Sequence, residues 1–462
     1  MKLKSIILVL ASSCALAHAH AHANDYRQPG GIAPYAEPAI AAGFRTLFTC
    51  SAHFWAGRAL DDIITVELRD TDVLGMPPPF IDERRALVRQ TYGDGRTRTA
   101  VFRPSMGCTI LPLHWSEAQI PDLPGIELPP PPDLREQPFP AGDLAHPRPG
   151  RKLRAVLNDA LDGRTYGEGT ITAGVVIVED RHIVAETYGD GFGIHTGYRT
   201  WSTAKSISAT LIGIAADGGV MDLDAPAPIP EWNWPGDARH AITPKHLLWM
   251  SSGLWSEGAN TNAVYFGGQD AISSATGTPL EVEPNTRWKY ANNDTLALLR
   301  GLRAALGDDH GYLRFPYDKL LHRIGMYHTR METDHLGNFI GSSQVYTTAR
   351  DLARFGLLYL NDGRWEGDRI LPEGWTRFVS TPAPATRIEG FAATGQHGYG
   401  AQFWLFDNID GIPPDTYTTA GNKGQYATIV PARNLVIVRT GVDPQGLRWN
   451  HVSFVKDVLA TL

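Results

Sequence analysis

Ten prolines lie between residues 121 and 150, and four of them are consecutive at Pro129–Pro132. Proline has no backbone N–H and a restricted φ, so such a stretch forms neither a helix interior nor a central strand. It is typical of an extended, semi-rigid connector. The sequence therefore predicts an N-terminal extension over residues 24–150, ending in this linker, and a larger domain over residues 151–462.

The first residues have the pattern of a signal peptide. Two lysines precede an apolar run over residues 6–16, and a repeat of small residues follows over residues 17–23. The run is too short to cross a bilayer, and no later stretch reaches about 18 uninterrupted apolar residues. We expect residues 1–23 to be removed and the mature protein to be periplasmic or secreted, with no membrane span.

Two other interpretations of this segment stay open. The alternating His18, His20 and His22 carry side chains that bind metals, although a tolerant signal-peptide end also explains them. Cys14 ends an Ala-Ser-Ser-Cys stretch that loosely resembles a lipid-attachment site. The other 13 of the 16 histidines are scattered along the chain, so we expect no metal ion and no cofactor.

The mature chain would hold two cysteines, Cys50 and Cys108. Disulfides form in the oxidising compartments that exported proteins enter, so a Cys50–Cys108 disulfide is expected. Two separate buried thiols are the alternative. A catalytic cysteine is disfavoured, because neither residue has a convincing histidine partner nearby in the sequence.

The charge of the chain limits its partners. The formal net charge is −7, and no basic stripe stands out, which argues against a nucleic-acid partner. The composition does not indicate an oligomeric state.

A regular pattern of elements begins at residue 151. The periodicity predicts alternating helices and strand pairs with a long helical middle section. We expect an α/β (α+β) fold, in which an antiparallel sheet is flanked by helices from both ends of the domain and a helical subdomain is inserted. The predicted helices are Arg151–Leu161, Ser202–Ala216, one opening at Thr348, and Val452–Leu462; the predicted strands are Ala173–Val178, Ile183–Tyr188, Tyr417–Ala420, Gln425–Val430 and Leu435–Thr440.

The segment from Ser202 to Lys205 reads Ser-Thr-Ala-Lys at the start of a predicted helix. Residues i and i+3 share one helix face, so Lys205 is within reach of the Ser202 hydroxyl. A serine is a weak nucleophile until a base takes its proton, and a lysine is a base only when its pKa is lowered. The spacing alone is weak evidence, because Ser453 and Lys456 repeat it in the last helix.

A second motif, Tyr290-Ala291-Asn292, lies in a polar stretch between two structured regions. A phenol beside a lysine acts as a general base or relays a proton to the leaving group. An amide side chain such as Asn292 donates and accepts hydrogen bonds at once, which suits it to holding a substrate amide. Tyr359-Leu360-Asn361 has the same spacing, but its place at the end of an apolar helix favours a capping role.

The third motif, from Gly421 to Gln425, reads Gly-Asn-Lys-Gly-Gln and leads into a strand. Glycine lets a backbone approach a ligand closely. We predict that Asn422 and Gly424 line the substrate site and that the Gln425 N–H joins the Ser202 N–H in an oxyanion hole. The same residues are good turn formers, and a plain hairpin bend is the alternative.

The order of these three motifs resembles that of the class C β-lactamases and the related esterases, peptidases and amide hydrolases of the penicillin-binding-protein-like family. The resemblance covers residues 151–462, and the Gly424-Gln425 pair is similar to the 6-aminohexanoate-dimer hydrolase branch. It implies a β-lactamase/transpeptidase-like fold and a serine hydrolase that works through an acyl-enzyme, with Ser202, Lys205 and Tyr290 as its catalytic residues.

One departure from the family pattern bears on the substrate. Penicillin-reactive members carry Lys-Thr-Gly or His-x-Gly on the strand, where the first residue helps to bind a substrate carboxylate. Asn422 takes that place here. This favours an esterase or linear-amide hydrolase over a β-lactamase or D-amino-acid peptidase acting on peptidoglycan. A non-catalytic ligand-binding homologue is the remaining alternative.

Overall fold

The computed structural model describes residues 37–256, 261–387, 398–407 and 409–462. The predicted signal peptide, together with Cys14 and the three alternating histidines, lies outside these residues. Among the helices described, none has both the length and the apolar character needed to span a bilayer.

The N-terminal extension contains one long helix packed on a small antiparallel sheet. Its elements are α1 (Pro38–Cys50), α2 (Leu60–Thr65), β1 (Phe80–Asp82), β2 (Leu87–Tyr92), β3 (Arg96–Arg103) and β4 (Gly107–Ile110). The strands pair in the order β1-β2-β3-β4, and α1 lies across β2, β3 and β4. Phe44 and Leu47 of α1 are fully buried in this contact, so the helix supplies the core that a four-stranded sheet alone lacks.

The two cysteines meet at the edge of this sheet. Cys50 ends α1 and Cys108 lies in β4. Their side chains form a pair with Cα atoms 6.1 Å apart, a separation that disulfides span.

The strands after residue 150 are β5 (Thr172–Glu179), β6 (His182–Tyr188), β7 (Tyr198–Arg199), β8 (Arg330–Met331), β9 (Val345–Thr347), β10 (Arg364–Trp365), β11 (Asp368–Arg369), β12 (Trp404–Leu405), β13 (Tyr417–Gly421), β14 (Gln425–Val430) and β15 (Leu435–Gly441). The main sheet has the order β12-β13-β14-β15-β5-β6, and every pair in it is antiparallel. Strands from the two ends of this region therefore pair at the centre of the sheet, where β15 lies beside β5.

The helices of this region are α3 (Arg151–Leu161), α4 (Thr203–Asp217), α5 (Pro244–Leu248), α6 (Asn262–Tyr265), α7 (Ala271–Thr276), α8 (Asn292–Leu306), α9 (Asp309–Pro316), α10 (Ala349–Leu360), α11 (Trp375–Val379) and α12 (His451–Leu459). Side chains of β5 alternate between two cores, because successive residues of a strand point to opposite faces. Val175 and Ile177 pack with α3 and α12, whereas Val176 and Val178 face the core that holds α4 and α10.

The sequence predictions for this fold are confirmed. The antiparallel sheet is covered by helices from both ends of the region, and α5 to α9 form the helical insertion between β7 and β8. Helix α3 has the predicted bounds. Thr348 caps α10 by accepting a hydrogen bond from the Asp351 N–H at 3.1 Å.

The proline-rich segment has neither helix nor strand over residues 123–133 and 145–150, forms hydrogen-bonded turns over residues 134–144, and contacts the second region. Arg354 of α10 donates to the carbonyl oxygens of Pro140 and Gly142 at 2.9 and 2.7 Å. The same guanidinium lies 5.2 Å from the centre of the buried Phe139 ring. These contacts hold the segment against the second region, and we call residues 121–150 the strap.

The N-terminal extension also contacts the second region directly. Ser51 Oγ and the Cys108 N–H both donate to Glu332 Oε1, at 2.7 and 2.9 Å. The Phe48 ring lies 5.6 Å from the ring of Trp201, the residue before Ser202. These contacts bring the extension close to the predicted nucleophile.

Candidate active site

Ser202 is the N-cap residue of α4 and follows a tight turn. The residue before it, Trp201, has a φ of +49°, a left-handed conformation that is costly for a side chain of this size. The turn presents Ser202 at the amino end of α4. There, the helix dipole favours negative charge.

Lys205 lies one helical turn further on and is buried, with 1% of its surface exposed. Its Nζ contacts Ser202 Oγ at 3.1 Å, Asn292 Oδ1 at 2.8 Å and the Ser342 carbonyl oxygen at 2.7 Å. Burial lowers the pKa of Lys205 from 10.5 to about 7, because the charged amine loses its hydration. A substantial fraction of the amine is therefore neutral at neutral pH.

The three contacts of Lys205 differ in chemistry. Asn292 Oδ1 and the Ser342 carbonyl only accept hydrogen bonds, whereas the Ser202 hydroxyl also donates. A neutral amine has two N–H groups and one lone pair. When the two acceptors take the N–H groups, the lone pair is left to face Ser202, as a base for its proton requires.

Tyr290 completes this group. The centre of its ring lies 5.0 Å from Lys205 Nζ, so the phenol from 85 positions along the chain does enter the pocket of the Ser-x-x-Lys pair. Two aromatic side chains pack against it: Trp404 stacks on it with ring centres 5.7 Å apart, and Tyr399 meets it edge-on at 6.1 Å. Tyr290, Trp404 and Tyr399 form an aromatic wall beside Lys205.

Asn292 is held on both sides of its amide. Its Oδ1 accepts from Lys205, and its Nδ2 donates to Thr261 Oγ1 at 2.9 Å. The side chain thus orients the lysine as well as lying in the pocket. Its predicted contact with a substrate amide stays a prediction.

The third motif lies at a hairpin turn. Residues 422–424 form the turn between β13 and β14, with positive φ at Lys423 and Gly424, so the hairpin bend that was left open as an alternative is what the structure shows. Gln425 begins β14 opposite Gly421. The turn interpretation is correct because Gly-Asn-Lys-Gly supplies residues that tolerate these conformations.

The side chains of this turn point to different surroundings. Asn422 is exposed, whereas Lys423 is buried and forms an ion pair with Asp70 of the N-terminal extension. Gln425 is buried as well, and its amide donates to the carbonyl oxygens of Lys423 and Gly441. Of the residues predicted in this motif, Asn422 is therefore the one whose side chain reaches the surface.

The end of β13 touches the turn that carries the nucleophile. A Cβ atom at Gly421 would lie 2.1 Å from the Thr200 carbonyl oxygen, so only glycine fits there. Thr203 Oγ1 donates to the Gln425 carbonyl oxygen at 3.3 Å. The backbone of the β13–β14 turn consequently adjoins the start of α4, where an oxyanion hole requires it.

A comparison of the sequence with known protein families identifies the family of this chain. The family model described as Beta-lactamase matches residues 157–441. The chain belongs to the Beta-lactamase family.

Relatives within and around this family share the fold at low sequence identity. The 6-aminohexanoate-dimer hydrolase of Paenarthrobacter ureafaciens is 24% identical over 324 residues, covering 65% of this chain and 80% of the relative. A family VIII carboxylesterase structure is similar with a TM-score of 0.55 and 14% identity, over 69% of this chain and 99% of that one. The structure of a hydrolase with promiscuous acyltransferase activity is similar with a TM-score of 0.52 and 13% identity, over 67% of this chain and 98% of that one.

Sequence reasoning missed three partners in this Beta-lactamase-family site. The Ser342 carbonyl holds Lys205, and the Ser342 hydroxyl bonds the Tyr265 phenol at 2.7 Å. Thr261 holds Asn292, and Asp70 holds Lys423. The Gly-Ser-Ser stretch at residues 341–343 was a usable signal for the first. No nearby sequence pattern indicates that Thr261 or Asp70 contacts the site.

Proposed function

We propose that this protein is a serine hydrolase that cleaves a small ester or a linear amide through an acyl-enzyme on Ser202. The observation that carries the proposal is the buried Lys205 amine, which is turned towards the Ser202 hydroxyl by Asn292 Oδ1 and the Ser342 carbonyl. Membership of a family of serine-dependent enzymes supports it.

In the acylation step, Lys205 takes the Ser202 proton as Oγ attacks the substrate carbonyl. Lys205 Nζ lies 5.0 Å from the centre of the Tyr290 ring, and we propose that the amine and the phenol act as one coupled acid–base pair. The tyrosine relays the proton to the leaving amine or alcohol. Water then enters along the same path and releases the acyl group from Ser202.

The tetrahedral oxyanion needs two donors. We propose the Ser202 N–H, at the amino end of α4, and one backbone N–H of the β13–β14 turn, with Gln425 and Asn422 as the candidates. Each such donor typically contributes about 3 kcal/mol to transition-state stabilisation. The contact of Gly421 with Thr200 supports this pairing, because it brings the two backbones together.

The charges around the site favour an uncharged acyl substrate. Lys423, the cation of the turn, is buried against Asp70, which leaves it unsuited to anchoring a substrate carboxylate. Asn422 is exposed but uncharged. The relative from Paenarthrobacter is named for hydrolysis of a 6-aminohexanoate dimer and a structural neighbour is a carboxylesterase, which supports ester or linear-amide chemistry here.

A panel of p-nitrophenyl esters, linear amides and β-lactams, followed by mass spectrometry of the trapped enzyme, tests the function. We expect turnover of an ester or amide and an acyl adduct on the Ser202 peptide. Ser202→Ala should abolish both with the fold intact, while Ser453→Ala, in the second Ser-x-x-Lys copy on α12, should behave as wild type. Undiminished turnover by Ser202→Ala removes the proposal.

Two other functions are outcomes of the same panel. Preferential acylation by a fluorescent penicillin would identify a β-lactamase or a D-amino-acid peptidase. Binding of panel compounds without any adduct would identify a non-catalytic homologue.

We also propose that the protein is exported and that the Cys50–Cys108 pair is a disulfide in the mature protein. The apolar run over residues 6–16 and the 6.1 Å Cα separation support this. Amino-terminal sequencing of the secreted or periplasmic protein should give a start near residue 24. A start at a lipid-modified Cys14 would replace the proposal with a lipoprotein.

A further inference from the structure

Three side chains with metal-binding atoms meet away from the Ser-x-x-Lys pair. Asp143 comes from the proline-rich strap, His195 from the loop between β6 and β7, and His328 from the segment before β8. One ligand atom from each lies within 4.8 Å of the others. Within the described residues, this is the one group of three or more His, Cys, Asp or Glu side chains with that geometry.

The two imidazole rings and the carboxylate are already close. Asp143 Oδ2 is 2.9 Å from His195 Nε2, and the rings of His195 and His328 are stacked with centres 4.2 Å apart. The side chain of His195 is 43% exposed, so this ring has room to turn and an ion has a path from solvent. For one ion to lie in the plane of both rings, the rings have to turn out of this stacked arrangement, in which their planes are 16° apart.

The surroundings hold the carboxylate with one oxygen turned to the histidines. Arg354 donates to Asp143 Oδ1 at 2.8 Å, and Arg350 donates to the Asp143 carbonyl oxygen. Hydrogen bonds of this kind orient the ligands of metal sites. Arg354 is itself paired with Asp351 at 3.0 Å, and Asp351 accepts from the His328 backbone N–H at 3.0 Å, which anchors that ligand's main chain.

The charge of this group suits a cation. With both carboxylates ionised, Asp143 and Asp351 outweigh the single guanidinium of Arg354, and the nearby Arg350 is matched by Glu186. Two imidazole nitrogens and one carboxylate oxygen, with the fourth position open to water, form a ligand set that Zn²⁺ takes in proteins.

We propose that Asp143, His195 and His328 form a Zn²⁺ site that clips the proline-rich strap to the body of the protein. Asp143 lies in the strap, and His195 lies three residues before β7, the strand that leads into the nucleophile turn. The ion would therefore stabilise the docked strap and has no part in the hydrolytic step.

The test uses mature protein without a histidine tag, beginning after Ala23 so that the His18, His20 and His22 repeat is absent. After treatment with a chelator, it is titrated with Co²⁺ and with Zn²⁺, following Co²⁺ ligand-field absorption and calorimetric stoichiometry. We expect one tight equivalent, and a melting temperature that rises with Zn²⁺ because the ion binds the folded state.

His328→Ala and Asp143→Asn should each weaken Co²⁺ binding at least about tenfold, and the asparagine keeps an acceptor for Arg354. His310→Ala, an exposed histidine at the start of α9, is the matched control and should bind as wild type. A wild-type titration without a spectral change, or equal affinity in Asp143→Asn and wild type, overturns the site. Ester turnover by the chelated enzyme is expected to persist, so this result and that of the substrate panel are independent.

Discussion

Replacing Lys205 with methionine removes the amine while keeping a side chain of similar reach. Burial holds the pKa of Lys205 at about 7, against 10.5 in an unfolded chain. Between these two values the unfolded chain binds more protons than the folded one, so the free energy of unfolding of the wild type rises with pH across that window. The methionine variant has no titrating amine at this position, so its unfolding free energy lacks this rise with pH.

The size of the effect follows from the two pKa values. From pH 7 to pH 9, the wild type should gain about 2 kcal/mol of unfolding free energy relative to Lys205→Met. The variant also loses the hydrogen bonds to Asn292 and Ser342, but that loss is nearly the same at both pH values and cancels in the comparison. Urea unfolding of both proteins at the two pH values measures the difference.

The same titration controls catalysis. The wild-type kcat/KM for an ester should fall about tenfold per pH unit below pH 7, because only the neutral amine accepts the Ser202 proton, and Lys205→Met should be inactive throughout. Parallel stability–pH curves for the two proteins, together with a wild-type kcat/KM that is flat from pH 5 to pH 8, would refute a lysine kept neutral by burial.

Three further changes should give measurable effects. Asp70→Asn leaves the buried Lys423 cation without its partner and should lower the urea-derived unfolding free energy by about 3 kcal/mol. Because the β13–β14 turn loosens, kcat should change by a larger factor than KM. An unchanged unfolding free energy together with an unchanged kcat would contradict this prediction. Burial raises the pKa of the Asp294 carboxyl from 3.8 to about 8, so folding at neutral pH requires this group to take up a proton. Asp294→Asn removes that cost and should stabilise the protein by up to about 4 kcal/mol at pH 7, and by less than about 1 kcal/mol at pH 4. A difference in urea unfolding that does not depend on pH would refute this prediction. Free-thiol titration of the denatured, unreduced mature protein should find no thiol at Cys50 or Cys108, and changing both to serine should cost about 4 kcal/mol in urea unfolding for a sequence separation of 58.

Local patterns accounted for much of the fold. The bounds of α3 and the cap of α10 followed from periodicity and capping chemistry, and the strands around β15 followed from runs of β-branched residues. The Ser202–Lys205 pair was also a local signal, since one helical turn separates its members. The prediction that Tyr290 lies in the same pocket depended on the order of the three motifs along the chain. In the structure, its ring lies beside Lys205.

What sequence reasoning missed depends on contacts that leave no local trace. The Ser342 acceptor is a backbone carbonyl, which every residue has. The Asp70 partner of Lys423 lies 353 positions away, and the stacked rings of His195 and His328 come from separate segments of the chain. The hairpin turn at residues 422–424 was one of two interpretations in the sequence, because Gly-Asn-Lys-Gly suits a turn as well as a close approach to a ligand.

The bonds from Ser51 and Cys108 to Glu332 join residues 281 and 224 positions apart. An N-terminal unit anchored in this way has no finished docking surface until most of the later chain has left the ribosome. Such long-range closure slows folding, and a slowly folding chain stays unfolded longer after synthesis. The first part of the polypeptide to be made is therefore among the last to reach its native surroundings.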